Sequence, residues 1–336
     1  MANSTARSLW AVAQESKASD LHAVTDQHAV LRVDGTLRRV SKEPLTGTEV
    51  HALLSECLSA EQIARLTEEG SLECAHELAN GERLRISAYV VSGSPGFSAR
   101  LIATTIPSLE QIRMPDAVLE LCRLRHGLVI FTGPSGCGKS TSMAAILAAL
   151  AKAFPLHIVT LEDPIEYRFP RGLSLVSQRE LGTDFHSFGT ELSKLLRQDA
   201  DVVMVGEMRD LESMRHAITL AETGHLVFTT LHTADTIQTV DRVVASFPAD
   251  EQPLARNRLA ATLSAVVAQR LLPSTRGGRV ANREILVRTA AVSNMIRENR
   301  TAELRNVLET NADVGMTTFA RDYQSLVAQG LVMRPG

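Results

Sequence analysis

From residue 127 onward the chain repeats one pattern. Short, continuous apolar runs alternate with longer stretches whose apolar positions recur at helical spacing. The runs are GLVIFTG (127–133), HIVTLED (157–163), DVVMVGE (201–207) and HLVFTTLH (225–232). A strand that is apolar at every position has no face for water, so it belongs in a parallel sheet covered on both sides. Strands alternating with helices predict an α/β fold with a parallel sheet. Beyond about residue 235 the pattern reads as mostly helical.

Upstream the pattern differs. Residues 8–18 form an amphipathic helix carrying Trp10. AVLRVDGTLRRV (29–40) alternates about Asp34-Gly35, a hairpin signal. Residues 46–70 predict two helices, with Thr48 or Ser59 as N-cap and Gly70 as a stop. Strands follow at 72–78, 83–91 and 97–104, separated by turns at 79–82 and 92–96. Residues 1–105 are therefore expected to form a smaller α+β domain. Pro107 and Pro115 restrict the backbone around them, which makes 106–115 a linker to a domain over 116–336.

Bulk properties remove some classes. A chain of 336 residues exceeds one ordinary core, in keeping with two domains. A net charge of −3 gives no global attraction for a polyanion, so direct nucleic-acid binding is not expected. No segment approaches the ~20 apolar residues that cross a bilayer, and the first twenty lack a signal-peptide core, so a cytoplasmic location is expected. Cys57, Cys74, Cys122 and Cys137 show no C-x-x-C spacing, which argues against a zinc ribbon or redox pair.

The most specific chemistry lies in GPSGCGKST (133–141). Gly133, Gly136, Gly138, Lys139 and Ser140 satisfy G-x-x-x-x-G-K-[ST], with an apolar strand before and a helix after. A loop that wraps phosphate with backbone N–H groups needs glycine where a Cβ would clash. The helix start adds its positive dipole end. Gly133, Pro134, Ser135, Gly136, Cys137, Gly138, Lys139, Ser140 and Thr141 are thus expected to bind ATP. Lys139 reaches the β- and γ-phosphates, and Ser140 ligates Mg2+.

Hydrolysis also needs a carboxylate at a neighbouring strand end. Glu207 ends VVMVGE, to orient or deprotonate water or to hold the metal through water. Gly206 precedes it, where such strands usually carry aspartate. LEDPIE supplies Glu162, Asp163 and Glu166, which repel one another unless a cation offsets them. His225 and His232 bracket the last strand. Seven residues at ~3.3 Å each place them over ~20 Å apart, too far to share one metal. Each is a catalytic candidate as a strand-end residue.

Taken together, GPSGCGKST, TLEDPIEY, RQDADVVMVGEMRDLESM and AETGHLVFTTLHTADT resemble, in order and spacing, the Walker A, Asp box, Walker B and His box of the secretion ATPases of type II and type IV pilus systems. VVAQRLLP (266–273) and SDLHAV…LRVDGTLRRV extend the resemblance over nearly the whole chain. Within that family it is most similar to the PilT-type pilus retraction ATPases. The chain is short, has no cysteine-rich zinc insert, and carries AVSNMIRE near its end, with Val292-Ser293 where that group has Ile-Arg. Ile296, Arg297 and Glu298 are retained. Cys137 replaces a usual serine, Ala200 a usual proline, and Ala103 the proline of a Phe-Arg-x-Ile-Pro run.

The resemblance implies a RecA-like P-loop core preceded by a PAS-like domain, assembled as a homo-hexamer. It implies catalytic roles for Glu207, Glu162, Glu166, His232 and His225, and for Arg100 and Arg85 on the N-terminal domain, which would close on nucleotide. Glu207 and Ser140 would serve the metal. The implied partner is an inner-membrane pilus platform protein. That would hold the chain peripherally at the inner face of the bacterial inner membrane. The related alternatives are a conjugation or effector-secretion ATPase, or a weakly hydrolysing accessory subunit.

Overall fold

The computed structural model describes residues 2–16, 18–33, 35–78, 83–102 and 105–334. The chain divides into two compact units, Met1–Thr105 with Pro164–Arg168, and Ile106–Asp163 with Phe169–Gly336.

The first unit contains α1 (Ala2–Glu15), β1 (Asp20–Val24), β2 (Val30–Val33), β3 (Thr36–Arg39), α2 (Gly47–Cys57), α3 (Ala60–Glu69), β4 (Ser71–Glu77), β5 (Arg83–Val91) and β6 (Ser94–Ile102). Among the described residues the strands form an antiparallel sheet in the order β3-β2-β1-β6-β5-β4. Alternation decides its faces. Leu21, Leu31, Leu84, Ile86, Phe97 and Ala99 point to one side and share a core with Trp10, Leu53 and Leu66 of the helices. The other face is polar. Cross-strand register aligns Arg32, Asp20, Arg100 and Arg85 in one row.

Both α2 and α3 begin with a capping box, at Thr46 with Glu49 and at Ser59 with Gln62. The first cap is Thr46 rather than Thr48, because Glu49 then stands three residues on and closes the box. Gly70 ends α3 with φ 77°, a conformation that suits glycine. Helix α1 starts well before residue 8. Strand β6 begins inside the expected turn, with Pro95 opposite Val90. The Asp34-Gly35 hairpin tip, the 79–82 turn and Ala103 fall wholly or partly outside the described residues.

The second unit contains α4 (Asp116–Leu121), β7 (Gly127–Thr132), α5 (Lys139–Ala153), β8 (His157–Glu162), β9 (Leu175–Glu180), α6 (Phe188–Leu195), β10 (Val202–Val205), α7 (Leu211–Glu222), β11 (Leu226–Thr230), α8 (Thr236–Ala245), α9 (Gln252–Thr262), β12 (Leu263–Pro273), β13 (Arg279–Val287), α10 (Ala290–Arg297), α11 (Leu304–Thr310) and α12 (Phe319–Ala328). Its strand order is β13-β12-β7-β11-β10-β8-β9, parallel from β12 to β9, with β13 antiparallel at one edge. Alternate residues of each strand enter cores on opposite faces. Leu128, Ile130 and Val203 pack with α6, α7 and α9. Val129, Phe131 and Met204 pack with α5 and α4. The α/β expectation therefore holds, with the P-loop strand β7 near the centre.

Three strands break the expected pattern. The region after 235 is largely helical, but it also contributes β12 and β13, a long antiparallel pair that the pattern did not predict. Strand β12 begins at Leu263, directly after α9, with no glycine or proline at the junction. A buried apolar run beside a helix cannot be told from more helix by periodicity. Strand β9, LVSQRE, lies at the sheet edge and is too polar to register as an apolar run.

Candidate active site

The phosphate loop leaves β7 at Gly133 and re-enters helix at Lys139. Gly133 has φ 134°, and a Cβ there would stand 2.2 Å from the Gln269 carbonyl oxygen. Gly138 caps α5 with φ 90°. Both glycines are thus required by conformation, and Gly133 also by space. The loop ends on the positive pole of a helix of 15 residues, which favours an anion there.

Lys139 is buried, and its ammonium donates to the loop's own carbonyls at Gly133 (2.7 Å) and Pro134 (3.1 Å). It also stands 3.5 Å from His232 Nδ1. His232 Nε2 lies 3.1 Å from Glu207 Oε2. An ammonium only donates and a carboxylate only accepts, so the partners select the tautomer protonated at Nε2. Desolvation, then the charges of Lys139 and Arg209, hold the His232 pKa below the ordinary histidine range. The imidazole therefore stays neutral between a cation and an anion.

Glu207 follows β10, and its other oxygen pairs with Arg209. Arg209 also reaches Asp163 at 3.3 Å. Thr230 Oγ1 donates to the Gly206 carbonyl, tying the chain just before Glu207 to the end of β11. Glu162, buried at the end of β8, accepts from Thr160 Oγ1 (2.7 Å) and Gln178 Nε2 (3.1 Å). Thr132, the last residue of β7, accepts from the Thr233 N–H and so fixes the loop that carries His232. These groups all lie at the C-terminal ends of the parallel strands, where ligands of such sheets bind.

Beside Gly138 and Thr141 opens a cavity of about 470 Å³. Arg113, Arg276, Arg279 and Arg283 line it, and among the described residues no carboxylate does. Its size falls within the ~300–1,000 Å³ typical of small-molecule sites. A cationic recess next to a phosphate cradle can take the remainder of a nucleotide.

The remaining candidates do not all gather here. His225 precedes β11, at the end opposite His232, and its Nδ1 lies 3.1 Å from the Leu220 carbonyl. The two histidines thus stand at opposite ends of β11, as their spacing predicted, and His225 contacts the end of α7. Glu166 lies in Pro164–Arg168, which groups with the first unit. There buried Arg83 donates to the Ile165 carbonyl at 2.6 Å. On the first unit's polar face Arg100 pairs with Asp20 and Arg85 with Glu73, each at 2.9 Å.

Three participants escaped the sequence. Arg209 was hidden in a charged run, although it sits two residues past a strand-end carboxylate. Gln269 gives a clearer signal, since it is a buried polar residue directly after the buried apolar run 265–268 of β12, whereas Arg283 sits between two other buried polar residues, Asn282 and Glu284, in β13.

A glycine cradle on a helix start, a lysine held at its mouth, and a histidine–carboxylate pair opposite define a P-loop ATPase. The chain belongs to the type II/IV secretion system protein family, whose pattern it matches over residues 5–316. It is 39% identical over 326 residues to the type IV pilus retraction ATPase PilT of Pseudomonas aeruginosa, covering 97% of this chain and 95% of that one. It is 42% identical over 320 residues to the uncharacterized protein YggR of Escherichia coli K12, covering 95% and 97%. The crystal structure of the pilus retraction motor PilT with bound ADP superposes with a TM-score of 0.88 at 36% identity, covering 96% and 92%. The Legionella pneumophila ATPase DotB gives 0.82 at 27%, covering 97% and 92%.

Proposed function

We propose that this chain is an ATP-hydrolysing motor that drives retraction of a type IV pilus. In this reading it works as a homo-hexamer on an inner-membrane platform protein at the inner face of the bacterial inner membrane. The supporting observation is the Lys139–His232–Glu207 chain at the phosphate loop, in a sequence similar to PilT along its whole length.

The loop amides and Lys139 bind the β- and γ-phosphates, and Lys139 exchanges its two carbonyl partners for phosphate oxygens. Ser140 and Glu207 suit Mg2+, which supplies charge neutralisation on the transferred phosphoryl group. Glu207 orients the attacking water and accepts its proton. His232 holds Glu207 at a fixed position from its Nε2–H. Glu162, set by Thr160 and Gln178, contributes a second fixed acceptor. Arg100 and Arg85 supply positive charge from the first unit, and Glu166 acts with that unit. Closing and opening about segment 106–115 converts turnover into displacement.

Deleting the gene in the host tests the reading. Excess surface pili that fail to retract support it. Bald cells would assign the chain to pilus extension. Normal pili with failed DNA or protein transfer would assign it to secretion.

A further inference from the structure

Strand β12 is apolar from Leu263 to Ala268 except at Ser264, and then buries a glutamine. Gln269 is 2% exposed, and both ends of its amide are engaged. Nε2 donates to the Cys137 carbonyl of the phosphate loop at 2.7 Å. Oε1 accepts from Ser142 Oγ, in the first turn of α5, at 2.9 Å and from Arg283 Nε at 3.1 Å. These partners fix the amide's orientation, because a carbonyl only accepts and a guanidinium only donates. The loop is moulded against this residue. A Cβ on Gly138 would lie 2.9 Å from Gln269 Nε2, as one on Gly133 would meet its carbonyl.

Arg283 faces Gln269 across the β12–β13 ladder. It is 3% exposed. Its two terminal nitrogens donate to the carbonyls of Arg113 and Ile112, each at 3.0 Å. Those carbonyls belong to the segment through which the chain passes from one unit to the other. The hydrogen-bond acceptors of the guanidinium are thus an amide oxygen and two backbone carbonyls, all neutral. Asp322 lends charge from nearby, but its Oδ2 accepts from the Arg283 backbone N–H. A buried cation held by neutral dipoles loses heavily if any acceptor moves away, so its position is tied to theirs. Burial lowers its pKa to about 10, which leaves it charged at neutral pH.

We propose that Gln269 and Arg283 are positioning residues forming a relay from the phosphate loop to the 106–115 segment. The inference rests on the reading of the loop as the ATP site. When phosphates fill the loop, the Cys137 carbonyl and the start of α5 adjust. The Gln269 amide bridges both and follows them. Arg283 carries the adjustment to the carbonyls of Ile112 and Arg113. An apolar pair at 269 and 283 would fill the same space, but it would leave the Cys137 carbonyl without this donor and the two segment carbonyls without theirs.

Amide hydrogen exchange on the full chain tests this, with and without saturating ADP and Mg2+. The N–H groups of Ile112, Arg113 and Met114 bond to Ser108, Glu110 and Leu109 carbonyls, so their exchange reports opening of this turn. In the unaltered protein ADP should change their exchange at least about threefold. Arg283→Met should exchange fast with or without ADP. Gln269→Glu keeps the acceptor for Ser142 and Arg283 but sets an oxygen against the Cys137 carbonyl. It should show near-normal exchange without nucleotide and lose most of the response to ADP. Because it keeps the Arg283 anchor, it separates a relay from mere structural support, even if Arg283→Met folds poorly. A full ADP response in Gln269→Glu, or none in the unaltered protein, would overturn the relay. Failure of a fluorescent ADP analogue to bind the unaltered protein would instead sink the ATP-site reading, and the relay with it.

Discussion

His232 shows how neighbours set a protonation state. Its pKa is lowered by burial and by two cations, so the form present at neutral pH is the one that donates to Glu207. Protonation at Nδ1 would put an imidazolium against the Lys139 ammonium and would remove the acceptor that faces it. The turnover profile should therefore stay flat down through the usual histidine range and fall only below it. In His232→Gln, with a neutral amide in place of the ring, that acid limb should disappear. An unchanged limb in the variant would assign it to another group. Cys137 makes the contrasting case. It lies in the loop, but its thiol is buried and its pKa is pushed up by that burial. Phosphate is held by backbone groups, so Cys137→Ser should change kcat and KM by less than about twofold, measured by steady-state ATPase assay. Gly133→Ala should instead abolish nucleotide binding in a fluorescent-nucleotide titration, because its Cβ has no room beside Gln269.

At the scale of elements, α6 and β9 are joined by an ion pair with one partner deeply buried. Glu191 of α6 pairs with Arg179 of β9 and with Lys194 on its own helix. Glu191→Ala leaves Arg179 without its carboxylate at the sheet edge and should cost about 1–3 kcal/mol, read as a lower thermal midpoint. Glu191→Gln should recover part of the loss. Elements were legible in the sequence where local signals were strong. The runs that became β7, β8, β10 and β11 announced themselves by unbroken apolarity, and Gly70 marked the end of α3. Strand β12 did not, because the chain turns from α9 at Leu263 without a breaking residue. The site was legible to the same degree. The phosphate loop follows from short-range pattern, since its local backbone geometry demands glycine, and Glu207 from its place at the end of an apolar run. The ties from Gln269 to Cys137 and from Arg209 to Asp163 span 132 and 46 positions, and only the sheet order brings them together.

For the whole molecule, one chain holds two units, one with the phosphate loop and one with a row of arginines. Arg100 is the most exposed of the paired residues in that row, and Asp20 beside it is nearly buried. Desolvation acts to raise the Asp20 carboxyl pKa, but hydrogen bonds from Ser19 and Arg100 outweigh it and the pKa is lowered. The carboxylate is thus charged and pairs with the arginine. Arg100→Ala should keep ATP affinity within about threefold while turnover falls by tenfold or more, as when an arginine finger is removed. Equal rates in the two proteins would leave Arg100 a surface residue of the sheet. The claim that turnover at this site powers retraction is tested most directly by imaging labelled pili in cells whose only copy carries Glu207→Gln. Those cells should carry pili that extend and do not retract, from a protein that still binds ATP. Retraction at the normal rate would contradict it.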